Sequence, residues 1–130
     1  MNKKLWIAGS FFGLTAVILG AFAAHGLKDL IDESAVDSFQ TGVRYQMYHA
    51  LLLLVIGTTS LVPENTKRLV FFGVLGGTLL FSGSIYALAT DQLTNFDFKT
   101  FGIVTPIGGL ILVISWLTLF ISVLKTKEYN

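Results

Sequence analysis

The sequence predicts an all-α integral membrane protein, a four-helix bundle running up-down-up-down, with an amphipathic outer segment between helices 1 and 2. Three observations carry this reading. Hydrophobic residues make up 53 % of the 130-residue chain and charged residues only 13 %, about half the charge of an ordinary soluble domain. A soluble domain of that size has too little interior to hide such a share of apolar surface, whereas a bilayer solvates it. Four apolar stretches, at about residues 5–24, 45–61, 69–89 and 106–124, each approach the length of one hydrocarbon thickness. Polar and charged residues are gathered into the segments between them. Residues 1–130 form a single transmembrane domain.

Residues 5–24 follow a short basic lead, Lys3-Lys4, and carry no charge. At ~1.5 Å per residue they extend about 30 Å. A secretory signal peptide is the rival reading, because Ala21-Phe22-Ala23 resembles a small-x-small cleavage site; an h-region, however, is usually about 7–15 residues long. Gly9, Gly13, Ala16, Gly20 and Ala24 recur at steps of three and four, which leaves one helix face almost bare backbone and fit for close packing.

His25-Gly26 ends this helix, Gly26 being suited to a left-handed stop. Beyond it Leu27, Leu30 and Ile31 line one side of a short amphipathic segment. Ser34 followed by Asp37 reads as a helix start, and Val36, Phe39 and Val43 keep helical spacing, so the second helix is expected over 35–61. Residues 62–67 form a turn containing Pro63 and Asn65. The third span, 69–89, has a second bare face at Gly73, Gly76 and Gly77, and the two small-residue faces predict close contact between the first and third helices. The fourth span admits two starts. Thr105 is an N-cap with Pro106 at the first helical position, or the helix begins near Phe101 and kinks at the proline. With the first, residues 96–104 fold onto the interface.

Orientation follows from the basic residues. Lys3, Lys4, Lys67, Arg68, Lys125 and Lys127 lie on one side, against Lys28, Arg44 and Lys99 on the other. Excess Lys and Arg marks the cytoplasmic side, so both termini are expected there in a multi-pass protein of the cell membrane. Trp6 and Tyr129 then fall near the inner interface, and Tyr45, Tyr48 and Tyr86 near the outer.

That topology brings uncommon polar groups to one depth. His25 closes the first span, Arg44, Tyr45, Gln46, Tyr48 and His49 open the second, Ser82, Ser84 and Tyr86 end the third, and Thr105 starts the fourth. Ionisable groups within a membrane are expensive and need partners, so these ten residues form the candidate polar cluster or ligand site, while the inner half offers almost nothing comparable. Tyr45 and His49, four apart, share a helix face, as do Arg44 and Tyr48.

The motifs Gly20-Ala21-Phe22-Ala23-Ala24-His25-Gly26-Leu27, Thr41-Gly42-Val43-Arg44-Tyr45-Gln46-Met47-Tyr48-His49-Ala50, Leu80-Phe81-Ser82-Gly83-Ser84-Ile85-Tyr86 and Thr105-Pro106-Ile107-Gly108-Gly109 resemble the transmembrane protein 256-like family, small bacterial and animal membrane proteins catalogued as a domain of unknown function. The resemblance implies a four-helix integral membrane protein and transfers no activity, substrate, cofactor or catalytic residue.

Several function classes weigh against one another. The net charge of +1 makes no case for nucleic acid, which requires a basic face. Without cysteine, thiolate sites and cysteine nucleophiles are excluded. His25 and His49 are either imidazole ligands for metal or haem, short of partners unless Asp29 or Glu33 joins them, or histidines hydrogen-bonded within the bundle. A hydrolase on Ser82 or Ser84 with His49 lacks any motif for an activated nucleophile. Arg44 with the expected helix starts at Ala35 and Pro106 suits an anion or lipid headgroup; alternatively Arg44 pairs with Asp37. The sequence therefore reads as a non-enzymatic membrane protein without cofactor or metal, whose outer-leaflet polar cluster holds the bundle and contacts a lipid headgroup, an anion or a partner protein. Its expected partners are membrane lipids and a second copy through the glycine-rich faces. The alternative is a small transporter or channel acting as an oligomer.

Overall fold

The computed structural model of the protein describes residues 1–95 and 97–127. It is an all-helical bundle of α1 (Asn2–Ala24), α2 (Glu33–Thr58), α3 (Glu64–Ala89) and α4 (Val104–Lys125), with short 3-10 turns at Leu27–Asp29, Asp91–Leu93 and Phe98–Ile103. Both chain ends meet the α2–α3 turn. The Met1 ammonium lies 2.9 Å from a Glu64 carboxylate oxygen, and the Thr126 hydroxyl donates to the Leu61 carbonyl at 3.2 Å. The opposite, far end gathers the α1–α2 connection, the start of α4 and the end of α3. Of the residues given a place from sequence, Phe96 and Tyr129 lie outside the described residues.

The helices pack as two consecutive pairs. α1 lies along α2 and α3 along α4, each over a long seam, and a thinner α2–α3 contact joins the pairs. The expected close approach of α1 to α3 is therefore corrected. A Cβ on Gly9 would meet the Ala50 carbonyl oxygen of α2 at 2.9 Å, and one on Gly20 would meet Val43 at 3.3 Å. On α3, a Cβ at Gly77 would meet Leu112 of α4 at 2.8 Å, and one on Gly108 would meet the Gly77 carbonyl oxygen at 2.9 Å as well as the Phe81 nitrogen. Lipid tails are as apolar as leucine, so helices in a membrane gain from contact chiefly by fitting closely. Glycine permits that fit, but a small-residue pattern does not name the helix that supplies the opposite wall.

α2 and α3 hold most of the core. Leu53 and Val74 are fully buried, in one cluster with Leu5 and Phe12 of α1 and with Ile56, Val62, Val70 and Phe71. A second cluster at the far end joins Ala23, Leu27, Ile31, Val36, Phe39 and Ala89. The amphipathic segment thus seats Leu27 and Ile31 on the start of α2, while Leu30, expected on the same side, is 57 % exposed.

α4 buries only Gly108, Leu112 and Ser115, and its remaining apolar surface, like the Ile7, Phe11, Leu14 and Val17 side of α1, is exposed. By length and composition α1, α3 and α4 are each able to cross a membrane, so these faces are lipid-facing surfaces. α2 is less apolar because its first half carries the polar residues. It is also the helix flanked by α1 and α3, which is where such residues find partners.

Four helix ends differ from expectation. α2 is capped by Asp32, whose carboxylate accepts from the Ala35 nitrogen at 2.8 Å, and not by Ser34. Buried Ile31 just before this cap and buried Val36 form a hydrophobic staple that fixes the start two residues earlier. The helix ends at Thr58, three residues short of the expected Leu61, because Thr59 turns extended. Gly26 adopts right-handed φ and ψ of −76° and −44°, so α1 leads into a 3-10 turn with no left-handed stop. α4 starts at Val104, which makes Pro106 its third residue and leaves Thr105 inside the helix. Proline is tolerated there since a first-turn N–H lacks an intrahelical acceptor.

Candidate functional site

Gln46 is the centre of the polar arrangement. It is 6 % exposed and faces both flanking helices. Its Nε2 donates to the Phe12 carbonyl at 2.9 Å and to the Thr15 hydroxyl at 2.7 Å on α1. Its Oε1 accepts from the Tyr86 hydroxyl of α3 at 2.7 Å. One amide thereby ties three helices. Nearby, the buried Ser82 hydroxyl donates to the Gly42 carbonyl at 2.7 Å, a second link between α2 and α3. Gly42 is needed at that crossing, since a Cβ would lie 2.7 Å from the Tyr86 ring. The Tyr86 ring also packs on Phe39 at 4.8 Å between centroids.

His49, one turn deeper on α2, reaches the other way. The Trp116 indole N–H of α4 donates to its Nε2 at 3.1 Å. Nε2 is therefore the acceptor, and Nδ1 carries the proton and donates to the Tyr45 carbonyl at 2.7 Å. Both ring nitrogens are engaged in a neutral imidazole, which leaves no free lone pair for a metal. Tyr45 stacks over this ring at 6.5 Å and against Phe81 at 4.9 Å. Ser84 and Thr105 share a 2.6 Å hydroxyl–hydroxyl bond between α3 and α4.

The structure thus brings Gln46, Tyr86 and Ser82 into one network, places Tyr45 and His49 beside it, and sets Ser84 with Thr105 on the neighbouring seam. It leaves four of the ten residues exposed, Tyr45 at 41 % among them. His25 is exposed at the end of α1. Arg44 is exposed and donates to the Thr41 hydroxyl at 3.1 Å, with no ion pair to Asp37 among the described residues. Tyr48 is 53 % exposed, edge-on to Tyr45. The anion reading needed Arg44 together with two helix starts. At one of these the Asp32 carboxylate already occupies the first-turn N–H of Ala35.

Three participants escaped the sequence reading. Thr15 and Trp116 look like ordinary residues of apolar spans, and only a search for hydrogen-bonding side chains facing Gln46 and His49 singles them out. Lys67 reads as a turn residue yet is 4 % exposed. Its ammonium donates to Asn2 Oδ1 at 2.9 Å and to the Thr59 carbonyl at 2.7 Å. The end that carries the chain termini, expected to be featureless, therefore has its own polar knot, extended by a 2.8 Å bond between the Thr66 and Ser122 hydroxyls.

Comparison with known proteins agrees with this architecture. Residues 19–109 match the family described as "Protein of unknown function (DUF423)". The chain is 42 % identical over 127 residues to a UPF0382 membrane protein of Staphylococcus epidermidis, covering 95 % of this chain and 97 % of the relative. It is 36 % identical over 128 residues to one of Haemophilus influenzae, covering 98 % and 99 %. With the UPF0382 membrane protein YwdK of Bacillus subtilis it shares 37 % over 125 residues, covering 95 % and 98 %. No solved structure matches the chain. In keeping with the resemblance carried by its four motifs, the chain belongs to the DUF423 family of membrane proteins of unknown function.

Proposed function

We propose that this is a non-enzymatic multi-pass protein of the cell membrane, with both termini cytoplasmic, whose polar network holds a binding scaffold open to membrane lipids. The carrying observation is Gln46, an amide with all its strong bonds directed to α1 and α3. The hydroxyls and the imidazole that catalysis would recruit are likewise engaged. Ser82 donates to a backbone carbonyl, Ser84 bonds Thr105, and His49 has partners at both nitrogens. A nucleophile needs a base within hydrogen-bond reach, and neither serine is bonded to His49. The exposed apolar faces of α1 and α4 supply the lipid contact.

Replacing Gln46 with leucine tests this reading. Interhelical hydrogen bonds in membranes average ~0.6 kcal/mol and reach ~1.7, so loss of three should cost about 1–2 kcal/mol. Unfolding of the purified protein in detergent, followed by circular dichroism, measures it. An unchanged midpoint for Gln46→Leu would show that the network does not hold the bundle.

A further inference from the structure

A cavity of about 160 Å³ opens between α1 and α3, with α2 as its floor. Its polar wall consists of Thr15, Gln46, Thr78, Ser82 and Tyr86. From these residues we propose that the cavity binds the hydroxyl-bearing ring of a lipid-soluble phenol or quinol.

Thr78 supplies the first argument. It is 3 % exposed, and its Oγ1 has no hydrogen-bond partner among the described residues. A buried hydroxyl without a partner costs roughly 1–3 kcal/mol, so a group that bonds Thr78 is stabilised there. The remaining wall defines that group. The two Gln46 N–H bonds go to Phe12 and Thr15, the Tyr86 O–H goes to Gln46, the Ser82 O–H to Gly42, and the Thr15 O–H to the Phe11 carbonyl at 2.9 Å. Every donor except that of Thr78 is committed, while the oxygens of Gln46, Tyr86 and Ser82 keep lone pairs. The complement is a group that accepts one bond and donates another, which is a hydroxyl. A carbonyl or ether has nothing to donate to those lone pairs. An ammonium would bring a charge into the bundle with no carboxylate in the wall.

Size and access supply the second argument. A cavity of ~150 Å³ holds a benzene ring. The mouth is flanked by Phe11 and Leu79, both exposed, and passes over Gly83, where an added Cβ would have nothing within 4 Å. An apolar tail on the ring can leave there directly into lipid.

The site rests on the network described above, and the variants separate the two. The full chain in lipid nanodiscs is photolabelled with a 4-alkylphenol carrying a diazirine in its tail, and labelled peptides are mapped by mass spectrometry. Labelling at Phe11 or 79–83 is expected, with 4-hexylphenol competing at least tenfold better than hexylbenzene at equal membrane concentration. Thr78→Val should lower labelling about tenfold at an unchanged or raised unfolding midpoint, since it removes an unpartnered buried hydroxyl. Thr78→Ser should retain labelling, and Gly83→Leu should block it. Equal competition by hexylbenzene, or full labelling of Thr78→Val, overturns the proposal. Loss of labelling in Thr78→Ser does the same, as does a high-resolution structure with the phenol present that shows only ordered water in the cavity. Gln46→Leu destabilisation with full labelling of Thr78→Val would sink the site and leave the network; a stable Gln46→Leu protein would sink the network.

Discussion

Within each helix pair, α1 with α2 and α3 with α4, glycines bring one backbone against the next helix over a long seam, to which Gln46 and the Ser84–Thr105 pair add hydrogen bonds. Between the pairs the contact is thinner, with hydrogen bonds from Tyr86 to Gln46, Ser82 to Gly42 and Trp116 to His49 crossing the divide. The two devices fail differently. At Gly9 and Gly108 the seam has no room for an added atom, because the obstacle includes backbone. A hydrogen-bonded crossing tolerates a change of side chain at the cost of the bonds lost. The difference is one of proportion: glycine fit dominates the long seams within the pairs, while the thinner junction between them leans more on polar groups.

The largest expected effect therefore belongs to the seam. Gly108→Ala places a methyl against the Phe81 nitrogen and the Gly77 carbonyl oxygen, and backbone cannot move aside as a flexible side chain does. Overpacking costs typically ~1–3 kcal/mol, sometimes more, so a loss of about 3 kcal/mol is expected on chemical unfolding in detergent. Gly76→Ala on α3 is the control, since its Cβ meets nothing within 4 Å. It should leave stability unchanged or raise it by up to ~1 kcal/mol through helix propensity. Equal effects of the two substitutions would erase the distinction between seam and surface.

Next comes Lys67→Met, which keeps the stem but removes the charged donor. Hydrogen bonds to charged groups contribute ~1.5–3 kcal/mol, and Asn2 Oδ1 and the Thr59 carbonyl would lose their partner. A decrease of about 2 kcal/mol is expected by the same measurement. A stable Lys67→Met protein would mean that the polar knot at that end is incidental. Trp116→Phe is the mildest, removing one indole N–H from His49 while retaining an aromatic ring, for a loss of about 0.6 kcal/mol. Combined with Gln46→Leu, it should add with no coupling beyond ~0.5 kcal/mol if the α4 and α1 crossings are independent. Strong coupling would join them into one unit.

The helices were legible in the sequence because an uncharged run long enough for a bilayer has few other readings. The start of α2 was less so. The pattern Ser34 to Asp37 pointed past Asp32, and what decided was burial of Ile31 against the helix, a tertiary contact that no local spacing displays. Helix neighbours were not legible at all from the glycines, since the same bare face fits any partner. For the polar groups, the rule that a buried hydrogen-bonding side chain needs a partner singled out Gln46, His49 and Ser82, each of which is buried and bonded to another residue. It gave no means of telling them from Arg44, on the exposed face of α2, and His25, at the exposed end of α1. Thr78 was missed because a lone threonine among apolar residues commonly bonds its own helix.

Because each tight seam joins helices that are consecutive in the chain, either hairpin can close without waiting for the other. During synthesis α1 and α2 can enter the bilayer as a preassembled unit, and the Gln46 amide then awaits only the tyrosine of the second hairpin. The turn at 59–63 is accordingly the place to divide the polypeptide, and reassembly of two separately expressed halves in the membrane is the expected outcome.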